Sequence, residues 1–591
     1  MVLTCLLALM VLAACGDADD NGTGEEVSNE FGIAGGQIDE FGKPTFDNSG
    51  WEEPGGKADA ILGRRGLSTS VDGGSLSVWE VRNQWEDTDT AEASKPGMAW
   101  GEDSGLTWDE KYQAWVASMK KIDSEGFGET FELVTPFNKT LPAPSLECAE
   151  VAMFLRVTFA SWYNLPFFME ARDSNGKRLY FGHFGIRTED GRYGRTPQFR
   201  DIYPDHTDKA QDVIDAKIEW PRDEKLAAKS LPGSFDDEQP MLGEDKHAGA
   251  YFDEVYLNKR VGHFMRLLLV YFGSVNLADS VNTYNVKAET VSPGDVLLER
   301  SGSSGIGHTL VTLQVSEVGQ TEIDGETFPL LEAELASGSM PRRQPRWDSP
   351  AVSKRYFTDE TAGGEEYAKF GGGIKRWRVA SSIDGRWTNI VPSISKDDFI
   401  SSRDLDAVAQ RIERFEKVLT ELTPEEKLQV IADIIEVQRE HLRRLPASCS
   451  ARIRRENAFK ELYELAAELE GWDRAEVDRR YRNLEDYVLA ELVYEESKTC
   501  CWNSSTAEMF EIIMDHARLE KTDPETGECR EVTVFMNRDD EGDGFQVFAD
   551  FAEATGRGDQ WRAWSADETC PQAEIPQATE ADHAWTPLCG Q

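Results

Sequence analysis

A single cysteine in the middle of the chain has the surroundings of a thiol nucleophile. Cys148 follows Ser145 and Glu147 and begins an apolar segment that reaches Tyr163. Apolar residues on nearly every side of this segment predict a central, buried helix with Ser145 as its N-cap. The N–H groups and the dipole of a helix start stabilise a negative sulfur, so we expect a thiol pKa below the ordinary value of about 8.5. A buried structural cysteine is the alternative interpretation.

A thiol nucleophile also needs a base, and a histidine far along the chain is the candidate. Pro293-Gly294-Asp295 precedes one short apolar segment and Gly307-His308 precedes another. Turn residues followed by such segments predict two strands, with His308 at the start of the second. Imidazole is the commonest general base near neutral pH.

These segments resemble the NlpC-type cell-wall cysteine peptidases of the papain superfamily. In that family a cysteine heads a buried helix, a Pro-Gly-Asp turn starts the first core strand, and a Gly-His pair opens the next. The resemblance implies that Cys148 is the nucleophile and His308 the general base. It gives the orienting third position to Glu332, with Glu334 as the next choice, and leaves Asp295 a structural role. It also implies a papain-like fold with a large insertion and a peptide or peptidoglycan-like substrate.

A second histidine offers a different pairing. His183 follows the cysteine helix closely, and this spacing is nearer to that of transglutaminase-like thiol enzymes, with Asp190 or Asp201 as the acid. The aromatic strand and the following aspartate of that family are missing here. His308 is therefore preferred, and a core histidine is the alternative interpretation of His183.

The elements that must hold these residues follow from apolar periodicity. Thr107-Trp108-Asp109-Glu110 is a capping box that opens a helix. A further helix is predicted over 251–275 and another from Thr423-Pro424. Strands are predicted at 75–84, 131–134, 165–171, 178–186, 295–299, 308–318, 327–335 and 375–379. The fold class is therefore α+β, followed after residue 400 by charged helices without strands.

The predicted domains are four. They are a signal peptide at 1–14, a disordered acidic tether at 15–60, a papain-like α+β core with insertions at 61–392, and an all-α, disulfide-stapled domain at 393–591. The tether is assigned because residues 16–60 are rich in Gly, Asp, Glu and Asn and contain few residues able to bury surface.

The start of the chain resembles a bacterial lipoprotein signal peptide. An apolar run from Val2 to Val11 leads into Leu12-Ala13-Ala14-Cys15 and then into the acidic tract. The resemblance implies that Cys15 carries a diacylglycerol. The chain would then be exported and held by lipid at the bacterial cell envelope, on the periplasmic side or at the cell surface. A simple cleaved signal is the alternative.

Six cysteines cluster towards the end of the chain. They are Cys449, Cys500, Cys501, Cys529, Cys570 and Cys589. In an exported chain this cluster predicts a disulfide framework whose pairing the spacing leaves open. No C-x-x-C pair occurs and the histidines lack ligand spacing, so neither a metal site nor a cofactor is predicted.

The charge of the chain excludes one class of partner. Its 63 basic and 108 acidic residues give a formal net charge of −45, whereas a nucleic-acid-binding surface is basic. Two functions remain. The first is a surface-anchored, thiol-dependent amide hydrolase or acyl transferase acting on cell-wall peptides. The second is a non-catalytic lipoprotein on a papain-like scaffold that binds envelope components.

Overall fold

A computed structural model describes most of the chain. The described residues are 37–38, 44–45, 66–124, 128–173, 176–231, 247–300, 307–339, 342–444, 449–482, 486, 492–494, 499–501, 504–522, 527–529, 544–561 and 589. Cys15, the signal peptide, most of the tether and Cys570 lie outside these residues. The chain forms two compact units, Met1–Glu421 and Leu422–Gln591.

A seven-stranded antiparallel sheet organises the first unit, in the order β15-β14-β13-β12-β16-β11-β19. The strands are β11 (Thr283–Val286), β12 (Val296–Arg300), β13 (Gly307–Ile323), β14 (Glu326–Ser337), β15 (Arg346–Trp347), β16 (Gly373–Trp377) and β19 (Phe399–Ile400). The four strands predicted between residues 295 and 379 are therefore confirmed, as is the mixed α and β class.

Smaller sheets and helices surround this sheet. The other strands of the unit are β1 (Gln37–Ile38), β2 (Pro44–Thr45), β3 (Leu67–Ser68), β4 (Lys120–Asp123), β5 (Glu129–Val134), β6 (Thr140–Pro142), β7 (Phe168–Arg172), β8 (Arg178–Gly182), β9 (Gly185–Thr188), β10 (Gly191–Arg192), β17 (Val379–Ile383) and β18 (Arg386–Ile390). Its helices are α1 (Trp108–Ala117), α2 (Cys148–Trp162), α3 (Phe199–Ile202), α4 (Ala210–Ile214), α5 (Glu224–Ala227), α6 (Ala248–Val255), α7 (Lys259–Tyr271), α8 (Ser274–Ala278), α9 (Pro350–Thr358), α10 (Leu405–Ala409) and α11 (Arg411–Val418).

The central sheet separates two apolar cores. Val296, Leu298 and Val311 pack in one core with α2, whereas Leu297 and Leu310 pack in the other with residues of α9 and α11. Successive residues of a strand point to opposite faces, so this division fixes the side of the sheet on which each β12 and β13 side chain lies.

Helix α2 is the central helix that the sequence predicted, but its cap differs. Every residue from Ala149 to Ser161 is buried. The N-cap is Glu147 rather than Ser145, because the Leu146 backbone pairs with Arg343 and keeps the chain extended up to Glu147.

Asp295 has the predicted structural role, which is to fix the Pro-Gly-Asp turn before β12. Gly294 has φ +87°, a conformation that favours glycine. The Asp295 carboxylate accepts hydrogen bonds from Ser292 N at 2.8 Å and from Arg376 Nε at 2.8 Å. Arg376 also pairs with Asp398, so this buried group links β12 to β16 and to the chain before β19.

Two further local predictions were wrong, and two were confirmed. The segment 75–84 is not a strand, because the N–H groups of Val78 and Trp79 both donate to the carbonyl of His183. The helix predicted over 251–275 is divided into α6, α7 and α8, because Asn258 caps a new start at α7. The capping boxes at Thr107 and Thr423 form as predicted.

The first unit extends past the domain boundary predicted at residue 392. Helix α11 packs its Phe415 against Phe357 of α9, with ring centroids 4.6 Å apart. The buried Arg411 guanidinium donates to the carbonyls of Val408, Val286, Ile374 and Gly372. These contacts place α10 and α11 with the sheet rather than with the later helices.

In the part of the second unit that the structure describes, the chain is helical with one hairpin. Its elements are α12 (Pro424–Arg444), α13 (Cys449–Glu470), α14 (Arg474–Tyr481), β20 (Leu492–Tyr494), β21 (Thr499–Cys501), α15 (Ser504–Glu520) and α16 (Gly544–Ala554). The hairpin β20-β21 corrects the expectation of an all-α domain. A disulfide joins Cys529 to Cys589, which is one pair of the predicted framework. The side chains of Cys449, Cys500 and Cys501, and the whole of Cys570, lie outside what the structure describes. Among the described residues no helix combines the length and apolar character needed to cross a bilayer.

Candidate functional site

The start of α2 is held by the chain that follows β14. Leu146 N donates to Arg343 O at 2.9 Å, and Ser339 N donates to Leu146 O at 3.2 Å. A Cβ at Gly338 would lie 2.1 Å from Leu146 O, so only glycine allows this approach. Both the N–H and the carbonyl of Leu146 are therefore hydrogen-bonded, which fixes the backbone just before α2.

Two carboxylates and one arginine lie beside the thiol. Glu150 Oε2 accepts from Glu147 N at 2.7 Å, which closes the capping box of α2. Arg342 Nη2 lies 2.9 Å from Glu150 Oε1 and 3.7 Å from Glu147 Oε1. This buried arginine offsets negative charge that would oppose a thiolate.

The Cys148 thiol is free and partly exposed. The backbone N–H groups of Thr309 and Ala149 are within hydrogen-bonding reach of its sulfur and favour the thiolate. Burial outweighs them and, with the negative charges of Glu147 and Glu150, raises the pKa of the thiol to about 11. The expectation of a lowered pKa is therefore wrong for this conformation, and the thiol is protonated at neutral pH.

His308 lies on the strand that touches the thiol, but its ring faces away from α2. Thr309, the next residue, is fully buried on the α2 side of the sheet. Alternation puts His308 on the other face, where its ring centroid is 6.3 Å from that of Tyr356 in α9. The structure therefore brings Cys148 to the strand of His308 and directs the imidazole to the opposite face of that strand.

The predicted third residue is remote from the imidazole. Glu332 pairs with Ser316, eight residues along β13 from His308. At about 3.3 Å per residue this corresponds to roughly 26 Å. Glu334, the next choice, binds Lys121 Nζ at 3.1 Å and accepts from Trp347 Nε1 at 2.6 Å. The structure brings neither carboxylate to His308.

A different carboxyl group stands next to His308, and the sequence analysis missed it. Glu299 is directly opposite His308 in the β12–β13 register, so the two side chains share one face. Burial and the charge of Asp359 raise the pKa of Glu299 to about 8, whereas Arg355 lowers it. A glutamate directly after the apolar run Val296–Leu298, in the same strand, was the available signal, because a buried charge there is costly without a role.

The rival histidine belongs to another part of the core. His183 Nδ1 is 3.0 Å from Phe167 O, and Nε2 is 3.4 Å from Asp72 Oδ1. Phe167 follows the end of α2, and the helix rises about 21 Å from Cys148 to Trp162. His183 and Cys148 therefore lie at opposite ends of α2. Asp190, one of the acids proposed for this pairing, lies 3.6 Å from Lys177 at an exposed position.

No protein-family model, curated protein or solved structure matches this chain. Within the described ranges, no group of three or more His, Cys, Asp or Glu side chains is arranged to hold a metal ion. The chemistry of the site therefore rests on its own residues. These are the Cys148 thiol, the backbone N–H groups of Ala149 and Thr309, and the Glu299–His308 pair of β12 and β13.

Alkylation should reveal the raised pKa of Cys148. In the folded chain, the rate of iodoacetamide addition at Cys148 should rise with a midpoint near pH 11, against about 8.5 for an ordinary thiol. Glu147→Gln should lower this midpoint, because it removes a negative charge beside the sulfur. Because the unfolded thiol ionises first, its contribution to stability should be lost as pH rises from about 8.5 towards 11. A midpoint below 8.5 would contradict this geometry.

The raised pKa of Glu299 predicts a pH-dependent stability. An unfolded glutamate ionises near pH 4.3, so the favourable contribution of the protonated carboxyl is complete below that pH. It is then lost as pH rises through 8. Glu299→Gln should leave the free energy of unfolding unchanged near pH 4 and raise it by roughly 2–4 kcal/mol at pH 9.

Urea unfolding at the two pH values measures this difference. Glu317→Gln is the matched control, because it removes one carboxyl group from an exposed position of β13. It should change stability by no more than about 0.5 kcal/mol. Equal stability of wild type and Glu299→Gln at pH 9 would mean that Glu299 ionises normally.

Proposed function

We propose that this chain is a thiol-dependent amide hydrolase or acyl transferase on a papain-like scaffold. Cys148 is its nucleophile and His308 its base. The single observation that carries the proposal is that the backbone N–H of Thr309, the residue after His308, lowers the pKa of the Cys148 thiol and so favours its thiolate. The residue that the resemblance gives as the base is therefore adjacent in sequence to a residue that stabilises the thiolate.

The start of α2 provides the groups that acyl transfer needs. Attack of the sulfur on an amide carbonyl produces an oxyanion, which backbone N–H donors stabilise. The N–H groups of Ala149 and Thr309 favour a negative charge on the sulfur, and the dipole of α2 adds positive potential there. Arg342 reduces the opposing charge of Glu147 and Glu150.

Deprotonation has to accompany attack, because the resting thiol is protonated. The imidazole of His308 accepts the thiol proton in a second conformation, in which the start of β13 leaves its pairing with β12 and brings the ring to the α2 face, and it returns this proton to the leaving amine. In the conformation described above, Glu299 rather than Glu332 accompanies the imidazole, because Glu299 is the residue opposite His308 in the register.

The substrate proposed is a cell-wall peptide or a peptidoglycan-like amide. Only the resemblance supports this choice. The charge of −45 supports a neutral or cationic substrate segment and opposes nucleic acid as a partner.

A specific observation favours a second function. The protonated thiol and the imidazole on the opposite face of β13 describe a site without a thiolate–imidazolium pair. A non-catalytic lipoprotein that binds envelope components through this scaffold would need neither a thiolate nor an imidazolium. The transglutaminase-like pairing of Cys148 with His183 is not proposed, because the two lie at opposite ends of α2.

Release of free amine from purified peptidoglycan peptides tests the first function. His308→Ala should lower turnover by roughly 10²–10⁴, the contribution of a positioned base, and Cys148→Ser should lower it strongly. Glu299→Gln should have a smaller effect, and Glu332→Gln, the matched control, should have none. A wild-type chain that binds these peptides without releasing amine would establish the second function instead.

We further propose that Cys15 carries a lipid that holds the exported chain at the cell envelope. Cys15→Ser tests this, with the chain expressed behind its own signal in a bacterium. Wild type should partition into detergent with the membranes, and the variant should be released into the aqueous phase. Cys5→Ser is the control, because it changes a cysteine within the apolar run but leaves Leu12-Ala13-Ala14-Cys15 intact. Wild type in the aqueous phase would refute the anchor.

A further inference from the structure

A small internal cavity lies beside the middle of α2, apart from Cys148. Arg156 and Arg378, the indole rings of Trp85 and Trp377, and the backbone around Phe167 line it. It has room for about one water-sized ligand. Its polar lining side chains therefore carry hydrogen-bond donors and positive charge.

Several of these donors have no acceptor. Both terminal nitrogens of Arg156 and the indole nitrogen of Trp377 are buried without a hydrogen-bond partner. Arg156 is 2% exposed and Trp377 is 3% exposed. A buried donor without an acceptor costs roughly 1–3 kcal/mol, so a set that faces one cavity calls for an acceptor inside it.

The ion pair of Arg156 does not satisfy these donors. Asp109 Oδ1 lies 2.8 Å from Arg156 Nη1, but away from the directions of its N–H bonds. The guanidinium plane is held by Trp85, whose ring centroid is 3.6 Å away, and by Tyr112. Stacking fixes the plane of the guanidinium, and its terminal nitrogens remain without an acceptor.

We propose that this cavity binds a small monovalent anion of the size of chloride or bromide. An anion accepts hydrogen bonds from every side and donates none, which matches a site whose unsatisfied groups are all donors. It also reduces the repulsion between two guanidinium groups that face the same space. The size of the cavity excludes phosphate, sulfate and carboxylate ligands. This inference does not depend on the function proposed for Cys148.

Salts of equal ionic strength test the proposal on the full chain. The melting temperature of the first unit should be about 2–4 °C higher in sodium chloride or bromide than in sodium gluconate, whose anion is too large for the cavity. Trp377→Phe keeps an aromatic ring but removes one donor. It should raise the bromide concentration that gives half of the effect by about 2- to 10-fold.

Trp387→Phe is the matched control. The Trp387 indole N–H donates to Asp72 at 2.9 Å, outside the cavity, so this variant should keep the wild-type bromide dependence even if it melts earlier. Crystals grown in bromide should give an anomalous peak between Arg156 and Trp377. Equal melting temperatures in the three salts would overturn the proposal. So would a halide effect that Trp377→Phe leaves unchanged, or an ordinary water in the cavity at saturating bromide.

Discussion

Helix α2 has no solvent-facing side, so each polar side chain on it needs a partner from elsewhere in the chain. Glu150 is paired by Arg342, Arg156 stands beside Asp109 from α1, and Thr158 shares a hydrogen bond of 2.6 Å with the hydroxyl of Tyr256. These partners come from segments before and after the helix, because a buried polar group without one is costly. The position of the Cys148 thiol is thus set by the same packing that assembles the unit.

The interior of the protein holds more positive than negative side chains. Among the described residues, buried arginines and lysines outnumber buried aspartates and glutamates, although the chain as a whole is strongly acidic. Backbone carbonyls take the place of a counter-ion for Arg411. Lys354 donates to the carbonyls of Glu416, Leu419 and Thr420 in addition to its ion pair with the Glu416 carboxylate. The surface is therefore more acidic than the net charge suggests, which strengthens the case against anionic macromolecules as partners.

Sequence patterns located the elements well and the side chains less well. The strands around His308 and the helix at Cys148 follow from apolar periodicity and turn residues, which are local properties. The face on which His308 lies depends on strand register, and a shift of one residue would exchange His308 with Thr309. The choice of Glu332 failed for a similar reason, since the register of β13 and β14 places Glu332 opposite Ser316, far from His308. Ser145 was a reasonable cap, but the pairing of Leu146 with Arg343 could not be read from its neighbours.

The pairing of β3 with β18 has a consequence for how the first unit folds. Leu67 is opposite Trp387, so two segments that lie 387 − 67 = 320 residues apart in the sequence are hydrogen-bonded to each other. Contacts of such long sequence separation form slowly, because closing a long loop costs conformational entropy before the contacts can stabilise the chain. During synthesis α2 emerges long before β12 and β13, whose side chains share its core, and part of its apolar surface remains exposed until these strands have followed. A nascent chain of this protein therefore passes through a long interval in which aggregation competes with folding, and holding by a chaperone would raise the yield of native protein.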